Sequence, residues 1–174
     1  MFPGVMGDTG TTWSAFEAAE PEFAATVRER FGQYTHHALA TVRKDGAPRL
    51  SGVEAGFRFG ELWLGMMPNS RKALDLRRDP RFALLANLGP GTDMGGGDVR
   101  VSGRAVEVTD PETVGRYAAE VGGPQPFHLF RVEPTEVVRT WVDGEEIVFR
   151  TWAPGRPART IRRGNDDSPP REDV

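Results

Sequence analysis

Residues 61–85 read ELWLGMMPNSRKALDLRRDPRFALL. Over 61–67, apolar residues occupy both alternating sets of positions, which predicts a strand that is covered on both faces. Residues 69–79 then have the pattern of a short helix. Pro80 follows them, and proline is a residue that ends helices. From Phe82 the apolar residues alternate again. The stretch therefore predicts a strand, a short helix and a second strand.

The segment furthest upstream predicts one or two helices. Ser14 and Glu17 have the spacing of a capping box, and Pro21 suits the first turn of a second helix. Apolar residues then recur at helical intervals as far as Phe31, and Gly32 follows them. We therefore expect helical structure to precede the first strand.

A β-hairpin is predicted between these helices and residues 61–85. Apolar residues alternate over 36–42, and Asp45-Gly46 is a dipeptide that favours a tight turn. The returning strand would start near residue 48 and run to about residue 59. Both strands would then precede the doubly apolar strand along the chain.

Further strands and one more helix are predicted downstream. Over 98–109 the apolar residues change parity, which fits a β-bulge near Gly103. Asp110 and Pro111 are typical of a helix start, and Gly122 is typical of a helix end. The other strands are predicted over 128–133, over 136–142, and in a last hairpin that turns at Asp143-Gly144. Six or more strands, mostly linked by hairpins, favour an antiparallel barrel.

Length and composition limit the possible classes of protein. The 174 residues suit a single domain, predicted over 13–163, with polar tails over 1–12 and 164–174 that we expect to be disordered. The net charge of -3 argues against general binding to nucleic acid or to anionic membranes. The absence of cysteine excludes disulfides and thiolate chemistry, so redox activity would need a bound cofactor. No apolar run is long enough to span a membrane, and we expect a cytoplasmic protein.

The short helix within residues 61–85 begins in a way that suggests an anion site. Ser70 can cap this helix, and Arg71 and Lys72 occupy its first turn. Cations are unfavourable at the positive end of a helix unless an anion lies there. A phosphate could accept hydrogen bonds from the free amides, the hydroxyl and both basic side chains. The alternative is that Arg71 pairs with Asp75 and that Lys72 is solvated.

The order of these segments resembles the pyridoxamine 5'-phosphate oxidase family. The resemblance covers roughly residues 34–152 and includes PRLSGVEAGF over 48–57 and SRKA over 70–73. It implies a mainly β fold, an antiparallel split barrel of six or more strands with an N-terminal helix and two short helices. It also implies FMN as the cofactor. A deazaflavin coenzyme is the first alternative, and haem, which fits the motif less well, is the second.

The resemblance further implies which residues meet the cofactor. In the family, the Arg and Lys of the SRKA motif hold the cofactor phosphate. The strand that contains Arg49 runs beside the phosphate or ribityl chain and the ring. Met66 and Met67 precede the motif, although filling of the core explains methionines equally well. The cofactor-binding residues implied are Arg49, Leu50, Ser51, Gly52, Met66, Met67, Ser70, Arg71 and Lys72.

The family builds its site between two subunits, so the resemblance implies a homodimer. A partner could cover part of the strand over 61–67, and packing within one chain is the alternative. The sequence departs from the vitamin B6 oxidases in two respects. Glu54 stands five positions after Arg49, where those enzymes have a basic residue, and the Arg-x-His motif near their C-terminus is absent. We therefore expect a flavin- or deazaflavin-dependent oxidoreductase that acts on another small organic substrate.

A non-catalytic carrier or sensor of flavin or haem is the alternative function. No catalytic acid or base is assigned, because the cofactor ring itself would perform hydride chemistry. His36, His37 and His128 lack the spacing of a metal site, and Gly95–Gly97 do not follow the dinucleotide-binding pattern. The basic end over 156–163 is followed by an acidic tail from Asp166, which we expect to neutralise it.

Overall fold

The computed structural model describes residues 11–86, residue 88 and residues 94–173. Four helices and nine strands occur within this part of the chain. The helices are α1 (Trp13–Ala19), α2 (Pro21–Gly32), α3 (Arg71–Arg78) and α4 (Pro111–Val121). The strands are β1 (His36–Val42), β2 (Pro48–Arg58), β3 (Glu61–Met66), β4 (Arg81–Leu85), β5 (Asp98–Glu107), β6 (His128–Asp143), β7 (Glu146–Trp152), β8 (Arg159–Arg163) and β9 (Arg171–Glu172).

Six of these strands close into an antiparallel barrel. Neighbouring strands follow the order β3-β2-β1-β4-β5-β6, and β3 also pairs with β6. Alternate residues of β1, including Leu39 and Thr41, are buried inside the barrel, while Ala38 and Ala40 between them are partly exposed. The predicted antiparallel barrel is therefore confirmed, and β7 to β9 extend its sheet beyond β6.

The two N-terminal helices form as predicted, but the first has a different cap. The Thr12 hydroxyl accepts a hydrogen bond from the Ala15 amide at 3.2 Å and caps α1. Ser14 lies inside the helix and donates to Glu61, while Glu17 forms an ion pair with Arg28. The predicted Ser14–Glu17 capping box is therefore wrong. The two partners, Glu61 and Arg28, both lie outside α1, so the spacing within the helix could not reveal them.

The predicted bulge lies near Gly103, but its extra residue belongs to β6. Ser102 pairs with Glu136 and Gly103 with Pro134, so Thr135 has no partner across the ladder. The parity of β5 itself does not change there. The strands predicted separately over 128–133 and 136–142 form one strand, because the bulge accommodates Pro134 without ending the pairing.

Strand β3 is covered on both faces by its own chain. Leu62 and Leu64 lie in the barrel core and are fully buried. Trp63 points the other way, where Tyr117 of α4 packs against it with ring centroids 6.0 Å apart. Helix α4 begins as predicted, since the Asp110 carboxylate accepts a hydrogen bond from the Thr113 amide at 2.8 Å. Packing within one chain thus explains the doubly apolar strand.

The C-terminal segment pairs with the sheet. Part of the segment predicted as a disordered tail over 164–174 forms β9, which pairs with β8. Arg159 contacts Glu172 at 2.6 Å and Arg162 contacts Asp173 at 2.9 Å, so acidic residues of this segment neutralise the basic end. Residues 1–10 of the predicted N-terminal tail lie outside the described residues. Within the described ranges, no helix has the length and apolar character needed to cross a membrane.

Candidate functional site

An open cleft lies against β1, β2 and the end of β4. Its volume is about 520 Å³, and its lining is mostly apolar. The cleft is open to solvent. Side chains and backbone from three segments form it: Ala38 of β1, Leu50, Ser51 and Gly52 of β2, and Leu85 and Leu88 at the end of β4.

The start of α3 has hydrogen-bond donors without acceptors. Ser70 has an extended backbone and occupies the N-cap position, but its hydroxyl caps no amide. This hydroxyl oxygen is buried and forms no hydrogen bond with any described residue. The first amides of a helix also have no intrahelical acceptor. A buried hydroxyl without a partner costs free energy, and an anion at this helix end would satisfy it.

The two basic residues of the first turn differ in their surroundings. The Lys72 ammonium donates a hydrogen bond to the Gly52 carbonyl oxygen at 2.7 Å, so it lies at the edge of the cleft. The Arg71 side chain is exposed, and no described residue forms a hydrogen bond or ion pair with it. The structure thus excludes the alternative in which Arg71 pairs with Asp75 and Lys72 is only solvated.

Asp75 instead connects α3 to the two strands beneath it. Its carboxylate accepts hydrogen bonds from Arg49 at 2.6 Å, from Thr41 at 2.9 Å and from Arg78 at 3.2 Å. Burial raises the pKa of the Asp75 carboxyl, but these three hydrogen bonds outweigh it and hold the pKa below its ordinary value. The carboxylate is therefore ionised and fixes α3 against β1 and β2.

Arg49 is oriented by this carboxylate. Only Nε of its guanidinium donates to Asp75, which leaves the two terminal nitrogens without a hydrogen bond to any described residue. The side chain is partly exposed. Arg49 can therefore donate two further hydrogen bonds to an anion while its position stays fixed.

The remaining predicted residues fall into two groups. Leu50, Ser51 and Gly52 line the cleft, and the Leu50 side chain is 74% exposed. Met66 is buried in the barrel core, whereas Met67 is 75% exposed in the turn before α3. The structure thus brings together the β2 residues and Lys72, and it places Met66 away from this surface.

The far end of the cleft carries a histidine and a carboxylate. His36 and His37 both line the cleft, and His36 Nε2 lies 3.5 Å from the Glu54 carboxylate. Burial lowers the pKa of His37, which favours its neutral form. Glu54 adds a negative charge beside His36, at the position where the resemblance implies a basic residue in the vitamin B6 oxidases.

Two functional features were not found from the sequence. The sequence suggests Asp75 only as a partner of Arg71, because its contact with Arg49 spans 26 positions of the chain. Leu85 and Leu88 lie beside β1 only after the strands pair. The one sequence signal for Asp75 was a carboxylate on the buried side of an otherwise basic helix.

Comparisons with known proteins agree with this architecture. The sequence profile described as pyridoxamine 5'-phosphate oxidase matches residues 23–141. No curated protein matches the chain. Among solved structures, the conserved hypothetical protein Rv2991 from Mycobacterium tuberculosis has 25% identity and a TM-score of 0.54, over 65% of this chain and 81% of that protein.

Two further solved structures share the fold at lower identity. HutZ, the heme storage protein from Vibrio cholerae, has 19% identity and a TM-score of 0.53, over 80% of this chain and 96% of that protein. ChuZ from Campylobacter jejuni has 13% identity and a TM-score of 0.60, over 78% of this chain and 61% of that protein. These two support the fold alone. Because the profile matches more than half of the sequence, the chain belongs to the pyridoxamine 5'-phosphate oxidase family.

Proposed function

We propose that this protein is an oxidoreductase that binds a phosphate-bearing flavin-type cofactor between the cleft and the start of α3. The observation that carries this proposal is the buried Ser70 hydroxyl, which has no partner within the described ranges, next to the unpaired Arg71 side chain. A cofactor phosphate would accept hydrogen bonds from both and from the first amides of α3. FMN is the cofactor we expect, with a deazaflavin coenzyme as the alternative.

The residues around the cleft would bind and orient this cofactor. A bound flavin or deazaflavin ring supplies hydride transfer. Lys72 would interact with the phosphate from its position on the Gly52 carbonyl, and Arg49, on the same strand as Gly52, would donate to it as well. Leu50, Leu85 and Ala38 would contact the ring and keep water from one of its faces.

A second subunit would complete the site. Leu50 is largely exposed in the cleft and Leu88 is half exposed there, while Met67 is largely exposed in the turn before α3. Exposed apolar side chains that adjoin one another are typical of an interaction surface. We therefore propose a homodimer in which the partner covers the open side of the cleft. We also propose that the protein acts in the cytoplasm on a small organic molecule.

A non-catalytic haem or flavin carrier is the second candidate. The observation that favours it is the fold shared with HutZ over 80% of this chain. The donors at the start of α3 favour a phosphate over the carboxylate-bearing edge of haem, because Ser70, Arg71 and the helix amides converge near one helix end. We therefore place this candidate second.

Absorption spectroscopy distinguishes the two candidates. The purified protein would be mixed separately with FMN, a deazaflavin coenzyme and haem, then desalted. We expect a flavin or deazaflavin band to stay with the protein, to bleach when a hydride donor is added, and to recover with an electron-accepting substrate. A retained band that never turns over supports the carrier, and haem retained alone selects the second candidate. If no band is retained in any mixture, both candidates are wrong.

A substitution at Gly52 tests whether the ring lies in the cleft. A Cβ atom at this position would have no atom within 4 Å, and the residue lies in a strand, so Gly52→Val should fold without loss of stability. The side chain would instead occupy the cleft. We expect FMN and riboflavin to bind about tenfold more weakly, since both present the same ring. Fluorescence titration measures both affinities, Gly52→Ala should give a smaller effect, and unchanged affinities would place the ring elsewhere.

A further inference from the structure

His128 connects the turn before α3 to the rest of the barrel. The Asn69 amide donates a hydrogen bond to His128 Nε2 at 3.0 Å, and His128 Nδ1 lies 2.8 Å from a Glu107 oxygen. Arg77, in the last turn of α3, donates to both oxygens of Glu107 at 2.6 and 2.8 Å. The chain of contacts thus holds α3 at both ends, and none of these residues lines the cleft.

The geometry determines which nitrogen of His128 carries the proton. A backbone amide can only donate, so Nε2 must present its lone pair to Asn69. The proton of the neutral ring therefore lies on Nδ1 and is donated to Glu107. The hydrogen bonds from Arg77 outweigh burial and hold the pKa of Glu107 below its ordinary value, so the carboxylate remains an acceptor.

The turn that His128 holds sets the position of the anion donors. Asn69 has a φ of 58°, in the left-handed region, and it directly precedes Ser70. The Ser70 amide donates to the Met67 carbonyl oxygen at 3.2 Å and closes the turn. A change in the orientation of the Asn69 peptide would therefore move the Ser70 hydroxyl and the first amides of α3 together.

We infer that His128 is a positioning residue for the phosphate site, and that protonation of its Nε2 atom breaks the bond to Asn69 and weakens phosphate binding. A protonated ring would place an N–H group against the Asn69 amide, and two donors cannot bond to each other. The groups that contact the ring nitrogens are Glu107 of β5 and the Asn69 amide, and Arg77 of α3 bonds to the same carboxylate. The Phe130 ring of β6 lies beside the imidazole, with ring centroids 6.5 Å apart. This inference rests on the proposed function, because it assumes that a phosphate binds at α3.

Titrations at several pH values test the inference. FMN and inorganic phosphate are the probes, the first followed by fluorescence and the second by the amide chemical shifts of residues 70–72. Phosphate monoesters themselves gain a proton between about pH 8 and pH 5, so the experiment needs a variant that reports the contribution of the ligand. His128→Gln keeps an acceptor for the Asn69 amide but does not titrate. Any change of its affinity with pH therefore comes from the ligand itself.

Between about pH 8 and pH 5, we expect the affinity of the wild-type protein to fall about tenfold more than the affinity of His128→Gln. A difference of about tenfold corresponds to the loss of one hydrogen bond. His128→Leu, which has no acceptor, should bind about tenfold more weakly at pH 8 and show no extra loss at pH 5. Circular dichroism would check that both variants fold. In the protein without ligand, ¹⁵N spectra of the histidine ring should show Nδ1 protonated and Nε2 unprotonated.

The outcomes separate this inference from the proposed function. If the wild-type protein binds either probe and His128→Gln has the same pH profile, His128 does not position the site and the proposed function stands. A ring protonated on Nε2 at pH 8 would also overturn the inference. If neither probe binds the wild-type protein at pH 8, the proposed function fails, and the positioning role fails with it.

Discussion

Replacement of both Arg71 and Lys72 by alanine is expected to weaken FMN binding by about 100-fold and to leave riboflavin binding nearly unchanged. Each basic side chain would lose a charge-assisted hydrogen bond to the phosphate, worth about 1.5 kcal/mol, and two such losses correspond to about 100-fold in affinity. Riboflavin has no phosphate and does not use the helix end. Isothermal titration with the two ligands measures this difference.

Stability and a matched variant control this experiment. Arg71 has no partner within the described residues, and Lys72→Ala removes one exposed hydrogen bond, to the Gly52 carbonyl, so the double variant should lose at most about 1 kcal/mol of stability. Arg43→Ala with Lys44→Ala removes the same two charges from the exposed β1–β2 turn. It should leave both affinities unchanged. Equal losses for FMN and riboflavin in the α3 variant would contradict a phosphate site at this helix.

Asp75→Asn is expected to destabilise the protein by about 3 kcal/mol at neutral pH. Its side chain is only 5% exposed, and its negative charge neutralises Arg49 and Arg78. Removal of this buried carboxylate charge leaves Arg49 and Arg78, which are partly exposed, without their counter-charge, which is costly. Urea denaturation measures the free energy of unfolding of both proteins.

The pH dependence of this effect has a definite sign. Because the pKa of Asp75 is lower in the folded protein than in the unfolded chain, its stabilising contribution is complete above the ordinary carboxyl pKa of about 3.9. This contribution is lost as the pH falls through the lower folded value. The difference in stability between the wild-type protein and Asp75→Asn should therefore be constant from about pH 7 to pH 5 and shrink on further acidification.

Asp79→Asn is the matched control. Hydrogen bonding to Arg81 lowers the pKa of Asp79 to about 2, but this pair lies at the surface, where solvent and salt screen it. We expect a much smaller loss of stability than for Asp75→Asn, and one that disappears at high salt. Equal losses for the two variants would show that Asp75 has no special structural role.

The local part of this fold was predictable from its sequence. Alternation over 36–42 with the Asp45-Gly46 turn predicts the β1–β2 hairpin, and the observed strands agree with it. The start of α4 at Asp110 and its left-handed end at Gly122 were predicted for the same reason. Strand period, capping residues and turn dipeptides all act over a few positions, so a single sequence reveals them.

Predictions failed where a remote residue decided the outcome. The prediction of two separate strands over 128–133 and 136–142 is wrong, because the bulge opposite Gly103 lets β6 continue through Pro134. There is no room for a side chain at Gly103, where a Cβ atom would overlap the backbone carbonyl oxygen of Glu133. The predicted cap of α1 is wrong for a similar reason, because the Ser14 hydroxyl donates to Glu61 and does not cap its own helix.

The sequence by itself determined the strand and helix order, the family resemblance, and the unusual pair of cations at the start of α3. Only the tertiary structure decided that Asp75 orients Arg49, that Lys72 reaches the Gly52 carbonyl, and that His128 holds the turn at Asn69. The physical reason is that local patterns depend on backbone geometry within a few residues. Contacts between residues that are 20 to 59 positions apart depend on strand register and barrel closure, which are set by the packing of the whole chain.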